Sequence, residues 1–190
     1  MKAELARPTV SKIEAIERQL VAAVFLLLKD FSPEAVHTLV AASRGLLYGL
    51  HKSRPNEILR LWDTRILDRV VPGSFKEWRS FQNKVANFLK HADRDADQSM
   101  KGVDIAGLNE LELVLCILAF WQVKKDLPQK LLIGLLYCHA KGTPLIDLRS
   151  IFLKANLPVD NFDSFCRMNE RDRKQISLDT FEILQAKGVQ

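Results

Sequence analysis

The residues whose types and spacing could do chemistry are concentrated in one stretch, FQNKVANFLKHADRDAD, from Phe81 to Asp97. Asn83, Asn87 and His91 are each four residues apart, so on a helix their side chains point along one line. Amides bind ligands through hydrogen bonds, and a histidine can carry a proton near neutral pH. Asn83, Asn87 and His91 are therefore the candidate catalytic residues, for chemistry at a metal or on a phosphodiester.

Charged side chains beside this line enlarge it into a candidate binding surface. A carboxylate near His91 would raise the pKa of the imidazole and fix its tautomer. The alternative is a solvated helix face followed by a polar turn. Asparagine is a poor helix former, however, and the two amides indicate a hydrogen-bonding role instead, for example towards a partner helix. The predicted binding residues are Asn83, Asn87, Lys90, His91, Asp93 and Arg94.

The alternating aspartates from Asp93 to Asp97 are typical of the start of an EF-hand calcium loop. In that register the sixth position, which needs glycine for a sharp turn, is Gln98. The ninth position is Lys101, a cation, and the twelfth is Asp104 instead of a bidentate glutamate. The four histidines are also not spaced as metal ligands. We therefore predict no metal site and no cofactor.

Capping signals and apolar periodicity predict an all-α fold, an antiparallel bundle of about six to eight helices. Ser11 and Glu14 form a capping box, and Ser32 with Pro33 is a typical helix start. The predicted helices run approximately over 11–29, 32–49, 56–70, 74–92, 109–125, 128–141, 143–155 and 177–187. We expect residues 1–155 to form the bundle, and 156–190 to be a polar C-terminal extension with a possible last helix docked on the body.

The most apolar segments of the sequence predict the centre of this bundle. Leu20–Leu28, Leu113–Trp121 and Leu131–Tyr137 are apolar nearly all round, which only a central position tolerates. In the fourth helix the apolar residues follow a helical stripe, which predicts that this stripe faces the core and that Asn83 and Asn87 lie opposite to it. The stripe consists of Trp78, Phe81, Val85, Phe88 and Ala92.

Composition limits the classes of protein to consider. The chain has 190 residues, a net charge of +5 and three widely spaced cysteines without a CxxC motif. Such cysteines argue for a reducing, cytoplasmic setting, and the N-terminus has no signal-peptide core. The uncharged apolar runs are shorter than the roughly 20 residues that cross a bilayer, so we predict no membrane association. The charge permits an RNA or an acidic protein partner. No P-loop, GxGxxG or GxSxG motif is present.

The stretch from Trp78 to Asp97 resembles the "NFxKHADRD" signature of a set of uncharacterised bacterial helical proteins. The segment RQLVAAVFLLLKDFSPEAVHTLVAASRGLLYGL resembles the paired N-terminal helices of the same set, so the resemblance covers Ile13 to Asp97. More distantly, the pattern is similar to the HEPN superfamily, whose motif is Arg, a polar residue, three residues and then His. His91 and Asn87 match the histidine and the polar position, while Ala86 stands where the arginine belongs.

This resemblance implies a helical module related to RNA-cleaving bundles, and the missing arginine implies that it does not cleave. We therefore expect a non-catalytic HEPN-like module that binds a protein partner or RNA, with a possible homodimer. Two alternatives stay open: a HEPN-type ribonuclease that uses Asn83, Asn87 and His91 as a non-standard site, and an unrelated helical adaptor protein.

Overall fold

The computed structural model describes residues 9–53, 75–90, 99–141 and 162–189. All the regular structure in these residues is helical, which confirms the predicted all-α helical bundle. The predicted helices 56–70 and 143–155 lie outside the described residues. The seven described helices are α1 Lys12–Leu28, α2 Pro33–Ser53, α3 Phe75–Lys90, α4 Ile105–Lys124, α5 Gln129–Ala140, α6 Phe162–Arg167 and α7 Glu170–Ala186.

Local capping explains where the first helices begin. The Ser11 amide donates to Glu14 Oε2 over 2.7 Å, and the Glu14 amide donates to Ser11 Oγ over 3.2 Å, so the predicted capping box is confirmed. Ser32 Oγ accepts from the Ala35 amide at the start of α2. This helix continues to Ser53, one turn beyond its predicted end, with His51 and Lys52 in the last turn, where cations complement the helix dipole.

The start of α4 differs from the predicted one, which placed the beginning of this helix at Asn109 as its N-cap. Asp104 is the N-cap, and its carboxylate accepts a hydrogen bond from the Gly107 amide over 2.9 Å. Asn109 is instead buried inside the bundle, where its amide donates to the Pro33 carbonyl over 2.7 Å. Aspartate and asparagine are both good N-caps, and the contact of α4 with α2 decides that Asp104 takes this position while Asn109 is buried.

The core of the bundle forms around α4, which packs against α1, α2 and α5. Every residue from Leu113 to Phe120 is buried, as are five of the seven residues of Leu131–Tyr137 and four of the nine residues of Leu20–Leu28. The buried residues of all three predicted runs belong to one core cluster, so these runs contribute to the observed centre. By length and composition α4 is also long and apolar enough to span a membrane, but 56% of its most apolar window is buried in the protein. Its apolar surface is therefore largely covered by the neighbouring helices.

Helices α1 and α5 approach each other closely at Gly134. A Cβ atom at this position would lie 2.5 Å from Val24 Cγ2, well inside van der Waals contact. Glycine therefore sets the distance between these two helices, although a glycine in a helix interior costs about 1 kcal/mol relative to alanine.

The C-terminal helix α7 packs across α5 and α1. The rings of Phe181 and Phe25 lie 5.5 Å apart, and Phe181 is fully buried. Lys29 and Glu182 add an ion pair of 2.6 Å at the same contact. Asn169 caps this helix, so it begins at Glu170, earlier than the predicted Ser177. The short α6 before it was not predicted.

Candidate functional site

The orientation of α3 differs from the predicted one. Phe81, placed on the core-facing stripe by the sequence pattern, is 38% exposed, whereas Gln82 is only 1% exposed. Val85 and Ala86 are buried beside Gln82, so the inner face is rotated from the predicted stripe towards Gln82 and Ala86. On this inner face the amide of Gln82 faces the carboxyl group of Glu112 on α4.

This rotation brings Asn83 and Asn87 to the edge of the contact with α2, and not to the opposite side as predicted. They line a cleft of about 440 Å³, which we call the α2–α3 cleft. Its walls come from α2 and α3, and its floor is formed by Glu112, Leu115 and Cys116 of α4. The polar residues of its walls are Arg44, Tyr48, His51, Arg79, Gln82, Asn83, Asn87 and Lys90.

Positive charge dominates the α2–α3 cleft. Arg44, Arg79 and Lys90 carry three positive charges, and Glu112 is the one carboxylate among the described lining residues. Arg44 Nη2 donates to Asn83 Oδ1 over 3.3 Å, so the carbonyl oxygen of this amide is already used. In this orientation of the amide, the NH₂ group of Asn83 can donate hydrogen bonds to a ligand in the cleft. The cleft therefore combines cations with amide donors, which suits an anion.

Glu112 lies at the floor of the cleft and is 1% exposed. Arg44 Nη1 lies 2.6 Å from Glu112 Oε1, which makes an ion pair between α2 and α4. Burial raises the pKa of Glu112 to about 7, and the charge of Arg44 and the amide of Gln82 offset only part of this effect. At neutral pH this carboxyl group consequently exchanges readily between its charged and neutral forms.

His37 belongs to the same buried polar cluster. Its Nδ1 lies 2.9 Å from Asn109 Oδ1 and 3.9 Å from Glu112 Oε2. Burial lowers the pKa of His37, and the hydrogen bond with Asn109 offsets part of that effect. A neutral imidazole whose Nδ1–H donates to Asn109 fits this geometry, which makes His37 a buried link between α2 and α4 and not a ligand-facing group.

Arg79 is held at the rim of the cleft by Tyr48. Its guanidinium lies 4.7 Å from the centre of the Tyr48 ring, and Lys52 lies 5.1 Å from the same centre. Hydrogen bonding to Arg79, together with the charges of Arg79 and Lys52, lowers the pKa of Tyr48. An arginine held by an aromatic ring loses less freedom when it binds a ligand, because its side chain is already oriented.

The structure brings together only part of the predicted site. Asn83, Asn87 and Lys90 lie in the α2–α3 cleft, whereas His91, Asp93 and Arg94 lie outside the described residues. Asp95 and Asp97, the other aspartates of the pattern that was judged unsuited to calcium, lie outside them as well. Among the described residues, no group of three His, Cys, Asp or Glu side chains could hold a metal ion.

Four residues of the cleft were not predicted from the sequence: Arg44, Arg79, Gln82 and Glu112. One signal was available for Glu112, since a carboxylate directly before the buried run LVLCILAF has to find a partner inside the protein. Nothing in the sequence identifies Arg44 as that partner, because the two residues belong to different helices.

Two of the cysteines are buried and are not suited to nucleophilic chemistry. Cys116 contributes to the floor of the cleft, and Cys138 lies in the apolar core. Burial raises the pKa of both thiols well above the ordinary value. Because the thiolate is the reactive form, these side chains act as small apolar groups.

No family model, no curated protein and no solved structure matches this chain. The resemblance to the HEPN superfamily and to the "NFxKHADRD" set therefore stays a prediction. The function is therefore inferred from the geometry of the α2–α3 cleft.

Proposed function

We propose that this chain is a non-catalytic helical module that binds single-stranded RNA through phosphate groups held in the α2–α3 cleft. The observation that carries the proposal is the meeting of Arg44, Arg79 and Lys90 with the amides of Asn83 and Asn87 in one concave site. Phosphate contacts made by arginine, lysine and amide side chains supply most of the affinity of RNA-binding proteins that do not select a sequence.

The composition of the cleft favours RNA over a protein partner. Protein interfaces usually depend on large aromatic or aliphatic anchors that fill pockets. The apolar part of this cleft comes mainly from small residues such as Ala41, Gly45 and Ala86. Phe81, an exposed large apolar residue of α3, does not line it. A net charge of +5 adds a general attraction for polyanions.

Removing cleft cations should weaken RNA binding. We expect Arg79→Gln and Lys90→Gln each to raise the Kd for a short oligouridylate about tenfold, the effect of losing one charge-assisted hydrogen bond. Each should also lower the slope of log Kd against log salt concentration by about one unit, which corresponds to one counterion fewer released on binding. Fluorescence anisotropy with a rhodamine-labelled oligouridylate measures both quantities. Lys12→Gln removes the same charge outside the cleft and should change Kd less than twofold, roughly the effect of long-range charge alone.

Filling the cleft should block binding without harming the fold. Gly45 lines the cleft, and Gly49 lies one turn further along α2 without lining it; a Cβ atom at either position meets nothing within 4 Å. Gly45→Leu should therefore raise Kd at least about tenfold, while Gly49→Leu leaves it unchanged. Both should stabilise α2 slightly, since leucine is a better helix former than glycine. Equal RNA affinity in the two variants would show that RNA binds elsewhere.

We expect the purified protein not to cleave RNA. Cleavage requires proton carriers that reach the ligand and a fixed cation for the charge that develops on the phosphate. Arg44 and Arg79 could supply the cation, but Glu112 at the floor of the cleft is only 1% exposed and His37 is fully buried, so neither reaches the ligand as a proton carrier. A fluorogenic RNA incubated with wild type, His51→Ala and His91→Ala tests this prediction. Robust cleavage by wild type that disappears in either variant would contradict it.

A homodimer, a cytoplasmic location and the absence of membrane association stay predictions. The carbonyl oxygen of Asn83, which the sequence suggested for a contact between two copies of the chain, accepts a hydrogen bond from Arg44 of the same chain.

A further inference from the structure

Arg44 is placed to contact both a buried carboxylate and a ligand in the cleft. One of its nitrogens faces Glu112 and another donates to Asn83, while its side chain is 17% exposed towards the cleft. A guanidinium has five N–H groups, so donors are left for a third partner. An anion that enters the cleft and contacts Arg44 therefore shares one positive charge with Glu112.

The other groups around Glu112 cannot neutralise it when that charge is shared. From α2, His37 Nδ1 lies 3.9 Å from Glu112 Oε2, and burial lowers the pKa of His37, which favours its neutral form at neutral pH. His51 of α2 lines the same cleft. From α3, Gln82 contributes an uncharged amide, and from α4 itself Cys116 contributes a buried thiol. Arg79 and Lys90 of α3 line the same cleft, but Arg44 is the cation whose charge lowers the pKa of Glu112. The ion pair that α1 makes with α4, Glu17 with Lys124, lies roughly three turns along the helix.

We propose that the Arg44–Glu112 pair forms a proton-coupled phosphate subsite, in which a ligand phosphate binds against Arg44 and Glu112 takes up one proton as it binds. This proposal rests on the RNA-binding function proposed above and specifies how the floor of the same cleft takes part in it. The balance is simple: one proton moves from solvent to a Glu112 carboxylate oxygen, and no covalent bond of the ligand changes.

The physical reason is repulsion between two anions that share one cation in a site shielded from water. Charges separated by a few ångströms interact more strongly there than in bulk solvent. The carboxyl group can remove the repulsion at small cost, because its pKa of about 7 already makes its neutral form common at neutral pH. Once neutral, the carboxyl group no longer competes with the phosphate for the charge of Arg44, 2.6 Å away. Binding of the phosphate should therefore favour the protonated form.

Coupling of this kind makes affinity depend on pH in a defined direction. For uptake of one proton, Kd should be nearly constant well below pH 7 and rise towards about tenfold per pH unit above it. The probe is a rhodamine-labelled oligouridylate with hydroxyl groups at both ends, because a terminal phosphate monoester has its own pKa near ~6 and would add a second titration. Anisotropy titrations from about pH 5.5 to pH 8.5 give the curve.

Calorimetry of the wild-type protein measures the proton directly. The binding enthalpy for the unlabelled oligouridylate is compared at pH 7.5, which is about half a unit above the Glu112 pKa, in two buffers of different ionisation enthalpy. We expect uptake of a large fraction of one proton. In Glu112→Gln, which imitates the neutral acid, uptake should be absent and Kd should not rise above pH 7. His51→Gln is the second variant, because His51 also lines the cleft. Proton uptake on binding should persist in His51→Gln.

The outcomes separate the two proposals. Binding with no proton uptake and a flat pH curve would overturn the coupled subsite and leave RNA binding standing. A pH dependence that persists in Glu112→Gln but disappears in His51→Gln would overturn it too, since the proton would then belong to the histidine. Absence of binding at every pH would overturn both proposals. Uptake that is lost only in Glu112→Gln supports the subsite.

Discussion

A variant in which Ile117 is replaced by aspartate should be unfolded at neutral pH. Ile117 is fully buried in the middle of α4, the helix around which the core forms. Ile117 belongs to the apolar core cluster of the described residues, and burying an isolated carboxylate in such surroundings typically costs more than about 4 kcal/mol. That is comparable with the whole stability of a domain, about 5–15 kcal/mol. Circular dichroism and urea denaturation measure the result.

The same substitution at an exposed position is the matched control. Ile183 lies on α7 and is 52% exposed, so Ile183→Asp should change the free energy of unfolding by less than about 0.5 kcal/mol. If Ile117→Asp retained a cooperative unfolding transition close to that of wild type, α4 could not be the centre of the fold. Destabilisation of both variants to the same extent would also contradict the burial of one and the exposure of the other.

Replacing Glu112 by glutamine should stabilise the protein at alkaline pH. The folded-state pKa of Glu112 is about 7 and its ordinary value is 4.5, so the folded state holds this proton more tightly than the unfolded state. The contribution of Glu112 to the free energy of unfolding is therefore most favourable below pH 4.5 and is lost as pH rises through the folded-state pKa of about 7. Each pKa unit corresponds to about 1.4 kcal/mol, so the ionised carboxylate costs up to about 3 kcal/mol in alkaline buffer.

Urea denaturation at about pH 5 and pH 8.5 tests this expectation, because the stabilisation by Glu112→Gln should be small at the first pH and largest at the second. Glu14→Gln is a control of opposite sign. Hydrogen bonds from Ser11 lower the pKa of Glu14, so its ionised form favours folding and its replacement should destabilise. If Glu112→Gln were instead destabilising at pH 8.5, the attraction of Arg44 would outweigh the cost of burial.

A carboxylate that lowers stability at neutral pH suggests a role other than stability. Sites that bind ligands often keep charged groups that the fold alone would replace by apolar ones. Glu112 lies under the cleft cations, next to Arg44, and its raised pKa belongs to the kind of perturbation found at functional sites. The cost of keeping Glu112 ionised in the folded protein is what would favour its protonation in the proton-coupled subsite proposed above.

The sequence by itself determined the features that depend on neighbouring residues. Ser11 and Glu14 form their capping box because both partners lie within one turn. The apolar runs of α1, α4 and α5 had to be buried, because apolar residues around the whole helix leave no face for solvent. The class of the fold and its centre followed from these local and compositional features.

Only the tertiary structure decided which side of α3 faces inwards. The apolar stripe predicted Phe81 on the inside, but the contact with α2 and the polar cluster at Glu112 bury Gln82 instead. Asn109 likewise became a buried link to α2 and not a helix cap. A sequence pattern gives the spacing of side chains around one helix but not the partner surface that the helix meets.

The cleft is the clearest case of this limit. Asn83, Asn87 and Lys90 were identified from their spacing on one helix. Arg44 and Glu112 come from two other helices, and no sequence pattern indicates that they pair with each other. Their ion pair exists because the packing of α2 on α4 brings a buried carboxylate within 2.6 Å of a guanidinium that also faces the cleft. Long-range packing decides which charges meet, and local periodicity contains no information about it.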